Sequence, residues 1–316
     1  VASGIPPFRG SAGIWSKTLY TQSTRAAFRR DPLQWWNAFW LRYCHFEPNN
    51  FHANPGHRAI AELAQMFTSN VRIVTQNVDT LHHSAGTSTN IIEAHGRIGL
   101  YKCCPPEDSD SDSDDDDDDD RPVHLGHRRK DNQRQSSCPY QWERALTVEQ
   151  LEPIKVRGDL LGLASGQQDE THISQNPTEP TKSQCCESDQ RKGEEFNAMG
   201  QPLRQVTAPP LCPICRTPAL PLALLFDEGY HSHSHYAFRD MEEWLSKADV
   251  VVFVGTSFAV WLTNVALEHC KAQNLRVYNF NTQDTLPPSP NLDVENVLGP
   301  AEETLPALVK EVKKLM

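Results

Sequence analysis

Two groups of residues in this chain have the types and spacing to do chemistry. The first lies in Ile73 to Gly96, IVTQNVDTLHHSAGTSTNIIEAHG. An apolar strand there releases Thr75, Gln76, Asn77 and Asp79 in close succession, and His95-Gly96 follows. Amide and carboxylate side chains at the carboxyl end of a buried strand suit a nucleotide-binding cleft in a parallel sheet. His95 is suited to take a proton near neutral pH. By itself such a histidine is more often structural than catalytic, and that bland reading stays with His82, His83, His231, His233 and His235.

The second group is made of thiols. Cys212-Pro213-Ile214-Cys215 followed by Arg-Thr-Pro reads as a zinc knuckle. A redox pair is the competing reading, but such a pair opens a helix in a thioredoxin-like unit, and no such pattern surrounds this one. Cys103 and Cys104 are adjacent, so they form no standard pair with each other, and Cys138 is the best remaining partner. The expected ligands are Cys103, Cys138, Cys212 and Cys215, with Cys104 nearly as good as Cys103 and Cys185-Cys186 a minor alternative. Four thiolates close a tetrahedral site, so the expected Zn2+ is structural.

Strands alternating with helices must position these groups. Residues 31–45 place Leu33, Trp36, Phe39, Trp40 and Tyr43 at helical spacing, an aromatic stripe that reads as core. His57 to Phe67 forms an amphipathic helix behind Asn54-Pro55, with Ile60, Leu63, Ala64 and Phe67 on one face. Val71–Thr75 reads as a short strand. Later come a strand and turn in PLALLFDEG, a helix over Tyr236–Lys247, and a fully buried parallel strand over Ala248–Gly255. A helix over Trp261–Ala272, a strand over Leu275–Phe280 and a last helix over Ala301–Leu315 complete the order. This alternation indicates an α/β fold with a doubly wound parallel, Rossmann-like sheet.

Composition sets the remaining bounds. The 316 residues exceed the usual single domain, hydrophobic content is 38%, and Pro is abundant at 23. The net charge of −11 is local: Asp110, Asp112 and Asp114 through Asp120 carry nine charges, and without them −2 remains. That acidity therefore points to no nucleic-acid partner of the folded part; the run reads as a solvated spacer. Nine cysteines and no signal peptide favour a reducing compartment, expected to be nucleus or cytoplasm. No apolar run approaches the ~18 residues of a membrane span. Residues 105–137 and 164–208 read as low-complexity insertions that do not pack. The expected division assigns 1–25, 50–100 and 219–316 to a Rossmann-like nucleotide-binding domain. A small helical and zinc module takes 26–49 and 101–218. The chain lacks an initiator Met and opens inside a motif-like segment, which reads as missing N-terminal sequence.

SGIPPFRG (residues 3–10), TQNVDTLHHSAG (75–86), HG (95–96), CPIC, VGTSF (254–258) and NFN (279–281) occur in the order found in sirtuins, which the chain resembles. Sirtuins are NAD-dependent protein deacylases. The resemblance covers nearly all of the chain outside the two polar insertions. It implies a cofactor loop with Phe8 and Arg9, and a nicotinamide-ribose site with Gln76, Asn77 and Asp79. It implies His95 as general base with Asn77 beside it in the catalytic centre. Gly255, Thr256 and Ser257 would hold the phosphate and adenosine-ribose side, and Asn281 the adenine ribose, with Asn279 a weaker register.

The implied reaction releases nicotinamide and O-acyl-ADP-ribose from an acylated-lysine protein or peptide. ADP-ribosyl transfer, NAD hydrolysis or a catalytically impaired binding protein are the alternatives. The chain departs from the family pattern where only Val1-Ala2 precede SGIP in place of a GAG segment. It departs again at Pro7, at Phe226-Asp227-Glu228 and at Leu262. FRGSAGIW resembles the loop of the sirtuin class that includes desuccinylases, whose Tyr and Arg three residues apart hold an acidic acyl chain. The matching pair here is Phe39 and Arg42. Phe39 cannot donate a hydrogen bond, and Arg42 reads as the polar face of an aromatic helix.

Overall fold

The computed structural model describes residues 2–6, 17–44, 51–104, 138–151, 195–284, 286–287 and 292–316. Phe8, Arg9 and Pro7, the insertion 105–137, and residues 164–194 of the second expected insertion lie outside the described residues.

Three short helices open the fold: α1 (Lys17–Gln22), α2 (Arg25–Arg30) and α3 (Pro32–Trp35). Thr24 and Asp31 accept from the first-turn backbone N–H groups of α2 and α3, as N-caps should. The expected aromatic helix continues as a π-helical segment, Trp36–Cys44. Its wider turn breaks the 3.6-residue spacing of the sequence reading. Trp35, Trp36, Phe39 and Trp40 are buried, whereas Leu33, expected in the stripe, is exposed.

This segment packs on an antiparallel sheet of order β4-β3-β5: β3 (Gly96–Cys103), β4 (Leu146–Thr147) and β5 (Ala219–Ala223). The Trp36 indole N–H donates to the Ala219 carbonyl at 3.1 Å, and Trp36 stacks on Tyr101. β3 runs through the expected domain junction at residue 100. Residues 195–208, expected not to pack, do so: Val206 is buried, its N–H donates to the Asn37 carboxamide, and the Asn37 amide donates to its carbonyl. Reciprocal hydrogen bonds to a preformed helix anchor this polar segment.

Parallel strands carry the rest. β1 (Ile73–Thr75) pairs with β2 (Ile91–Glu93), and β6 (Val250–Val254), β7 (Arg276–Asn281) and β8 (Val294–Leu298) form a sheet of order β6-β7-β8. Alternating side chains on the three-stranded sheet reach helices on both faces, the mark of a doubly wound α/β unit. Phe253 and Val277 meet Leu267 and Cys270 of α7 (Trp261–Gln273). Val254, Tyr278 and Phe280 meet α4 (Pro55–Met66) and α8 (Ala301–Leu315). Ile92 and Ala94 are covered by α6 (Phe238–Ser246) and by Leu262 of α7.

β6 is not fully buried as expected. It is an edge of its sheet, and Val250 and Val252 are 48% and 47% exposed. Only Val254 of that face reaches the cluster formed by α4 and α8.

Lys102 is 2% exposed and forms a buried charge centre. Its Nζ donates to both Glu228 oxygens at 2.6 and 2.7 Å and to the Tyr236 hydroxyl at 2.6 Å. Burial lowers the Lys102 pKa and the Glu228 carboxylate opposes that. Asp227 accepts from the backbone N–H groups of Arg25 and Ala26, at the start of α2. The Phe226-Asp227-Glu228 departure therefore ties this loop to α2 and β3.

Gly96 has a φ of +86°, and a Cβ there would lie 1.9 Å from the Leu222 carbonyl oxygen. The glycine after His95 lets β3 meet β5 backbone to backbone. Gly96→Ala is expected to cost at least about 3 kcal/mol, since left-handed strain and a backbone collision combine. Urea unfolding measures it, and a cost below 1 kcal/mol would refute this account of the position.

Candidate functional site

The connection after β1 gathers the first group. Thr75 Oγ1 accepts from the Asn77 N–H at 3.1 Å, which turns the chain where the strand ends. Asp79 Oδ1 accepts from the Leu81 N–H at 3.0 Å and caps the short helix α5 (Leu81–Ser84). Burial raises the Asp79 pKa, while the Leu81 N–H and nearby His57 lower it. Gln76 and Asp79 are half-buried and Asn77 is exposed, so the carboxamides face an accessible space.

His95 lies between β2 and β3 and is half-buried. Its Nε2 is 2.9 Å from the Tyr230 hydroxyl. Burial pushes the imidazole pKa down to about 4, and a hydrogen bond with the Gln76 backbone pushes it up. The ring is therefore neutral at pH 7 and carries a lone pair, as a general base requires. Tyr230 escaped the sequence reading. Its only signal was an aromatic residue beside the HSHSH tract, and its contact with His95 spans 135 residues.

That tract itself is structural. His233 Nε2 contacts the Arg144 carbonyl at 3.2 Å, and its Nδ1 accepts from the His235 N–H. His235 and His83 both pair with the buried Glu93, at 3.3 and 3.1 Å.

The β6–α7 turn carries Gly255, Thr256 and Ser257. Gly255 has a φ of +59° with nothing within 4 Å of where a Cβ would point. The space a side chain would take there is open, which suits the close approach of a phosphate. The Asn281 amide donates to the Thr256 carbonyl at 2.7 Å and holds this turn against the end of β7. Asn279 is buried and donates to Asn296 at 2.9 Å, within the sheet and away from the turn.

The thiols of Cys103, Cys138, Cys212 and Cys215 lie within 4.8 Å of one another. Cys103–Cys138, Cys138–Cys212 and Cys215–Cys103 sulfur separations are 3.8, 3.7 and 3.5 Å. A tetrahedral Zn2+ with bonds of about 2.3 Å requires about 3.8 Å between sulfurs. The four-sulfur set therefore fits one structural zinc. Arg216 at a φ of +61° and the Cys212 N–H to Thr217 carbonyl bond form the tight knuckle. Cys104 stands outside the set, Cys270 is on the buried face of α7 against Phe253 and Val277, and Cys185-Cys186 lie outside the described residues.

The acidic-acyl pair does not assemble. Phe39 is buried against Trp35, with ring centroids 5.0 Å apart, and Arg42 Nη2 is 2.6 Å from the Glu195 carboxylate. The π-helical turn carries Phe39 into the aromatic core.

The buried histidines set a pH response. Burial lowers His95 and His82 to about 4 and His233 to about 3, from 6.5. Their stabilising contribution is complete above pH 6.5 and is lost as pH falls through 4, because only the unfolded chain binds protons in that window. Asp79, with its raised pKa, opposes the trend in part. His95 and His82 are each expected to remove on the order of 3 kcal/mol by pH 4. Urea titrations at pH 7 and 5 check this, and equal stability would contradict the burial of these rings.

Residues 1–125 match the model of the Sir2 family. The chain is 28% identical over 316 residues to NAD-dependent deacetylase sir2E of Dictyostelium discoideum, covering 99% of this chain and 70% of that protein. It is 45% identical over 102 residues to NAD-dependent protein deacylase 1 of Caldanaerobacter subterraneus, a match covering 32% of this chain and 40% of the relative. The crystal structure of a Sir2 homologue–NAD complex superposes with a TM-score of 0.58 at 21% identity, covering 99% of this chain and 85% of that one. Among the described residues, no helix is long and apolar enough to cross a membrane.

Proposed function

Because this chain belongs to the Sir2 family, we propose that it is an NAD-dependent protein-lysine deacylase acting on acylated lysine in a protein or peptide. The observation that carries this reading is a half-buried, neutral His95 one strand away from the Gln76-Asn77-Asp79 turn. The relatives are named deacetylases and deacylases, which favours acyl transfer over ADP-ribosyl transfer or NAD hydrolysis.

NAD bound here supplies the ribose carbon that becomes electrophilic as nicotinamide departs. Gln76, Asn77 and Asp79 hold the carboxamide and ribose, the half-buried Asp79 providing the acceptor. The N–H groups of Thr256 and Ser257 take a phosphate beside Gly255, whose own N–H donates to the Phe280 carbonyl at 2.9 Å, and Asn281 keeps that turn in place. Phe8 and Arg9 would close over the same ligand. His95 then removes a ribose hydroxyl proton, after nicotinamide has gone. Zinc takes no part in this chemistry, since four sulfurs close its coordination.

With Phe39 buried and Arg42 paired to Glu195, neutral acyl groups are the expected substrates. A nicotinamide-release assay over acetyl-, longer neutral acyl- and succinyl-lysine peptides tests this. Neutral acyl peptides are expected to exceed succinyl peptide at least tenfold in kcat/KM, the scale of one lost charge-assisted contact. Preference for succinyl peptide would overturn it.

A further inference from the structure

Tyr230 is hydrogen-bonded to Nε2 of His95, and its ring is packed on two others. Phe238 of α6 packs on it with centroids 5.4 Å apart, and Trp261 of α7 with centroids 5.6 Å apart. Phe238 and Trp261 also stack on each other at 5.5 Å. The hydroxyl therefore cannot swing away without dismantling a three-ring cluster that extends the core over Ile92 and Ala94.

The Gln76 backbone raises the His95 pKa, so its carbonyl lies on the side of a ring N–H. With Nε2 facing the Tyr230 hydroxyl, that N–H is at Nδ1. The Nε2 lone pair is then capped by the phenol O–H at 2.9 Å. Burial pushes Tyr230 up to about 12, so its proton stays in place at neutral pH.

We propose that Tyr230 is a proton relay between the ribose hydroxyl and His95. This rests on the deacylase reading above. As the ribose O–H bond breaks, its proton moves to the Tyr230 oxygen while the Tyr230 proton moves to Nε2. The O–H electron pair stays on the ribose oxygen for attack at the acyl carbon, His95 becomes imidazolium, and Tyr230 is unchanged overall. A direct transfer would require the Tyr230 hydroxyl to leave Nε2 first, against the packing of its ring on Phe238 and Trp261. Tyr230 is itself only half-buried and its neighbour Trp261 is 57% exposed, so the ring cluster reaches the protein surface.

Tyr230→Phe keeps the ring and removes the oxygen. In the ligand-free protein, the His95 Cε1–H resonance should titrate on the order of one pH unit higher in Tyr230→Phe, since one hydrogen bond to the neutral ring is lost. With NAD and acyl-peptide, deacylation should fall at least about tenfold, within the range of acid–base contributions. Exchange of labelled nicotinamide should stay within about twofold. On the unaltered enzyme, rate against deuterium fraction should curve, as two protons in motion require.

An unshifted His95 titration, an unchanged deacylation rate or a linear deuterium dependence would each overturn the relay. The wild-type isotope experiment keeps it testable should the variant fold poorly. Absence of deacylation in the unaltered enzyme would instead remove the functional reading, with the ligand-free titration still reporting the Tyr230–His95 bond.

Discussion

His95→Ala is expected to lower deacylation of an acyl-peptide by 10²- to 10⁴-fold, the contribution a positioned general base makes. The imidazole is neutral at working pH because burial holds its pKa near 4, so the wild-type ring has nothing to lose first. Labelled-nicotinamide exchange should persist within a few-fold in the variant, because the base acts after nicotinamide leaves. His95 is half-buried and its removal breaks the bond to the Tyr230 hydroxyl, a cost of about 1–3 kcal/mol that leaves the fold in place. Full deacylation by His95→Ala would refute the assignment.

Cys212→Ser is expected to have the largest effect on folding. Cys212 is completely buried, and its sulfur sits 3.7 Å from that of Cys138. Structural zinc in small domains contributes about 10–16 kcal/mol of apparent binding free energy. That rivals or exceeds the ~5–15 kcal/mol stability of a whole domain. Metal analysis should return about one zinc per chain in the wild type and almost none in Cys212→Ser. The near-UV signal of Trp36, whose indole N–H is bonded to β5, should collapse with it. Cys104→Ser, outside the sulfur set, should keep its zinc. Zinc retained by Cys212→Ser would show that the metal is held elsewhere.

Helices α4, α6, α7 and α8 were legible in the sequence, α4 and α6 through their amphipathic periodicity. So was β7, bounded by polar residues. The π-helical turn was not, since a 3.6-residue template puts Leu33 where Trp35 belongs. β8, VENVL, lacks the strict apolar–polar alternation that signals a strand, and it pairs in parallel with the edge that β7 offers. The three-stranded antiparallel sheet was missed because glycines interrupt β3 and the partners lie far apart in sequence.

At the site, the Gln76-Asn77-Asp79 turn and His95 could be named because their residue types state their chemistry. The close approach at Gly96 depends on Leu222, and the hydroxyl on His95 depends on Tyr230. Neither long-range partner leaves a local pattern. Residues 195–208 were misread because polarity alone does not disclose the waiting Asn37 side chain.

The central claim is acyl transfer from lysine to the ribose of NAD. Mass spectrometry of the products from NAD and an acetyl-lysine peptide tests it most directly. The account predicts nicotinamide, deacylated peptide and O-acetyl-ADP-ribose in equal amounts. ADP-ribosylated protein, or free ADP-ribose with the peptide still acylated, would contradict it.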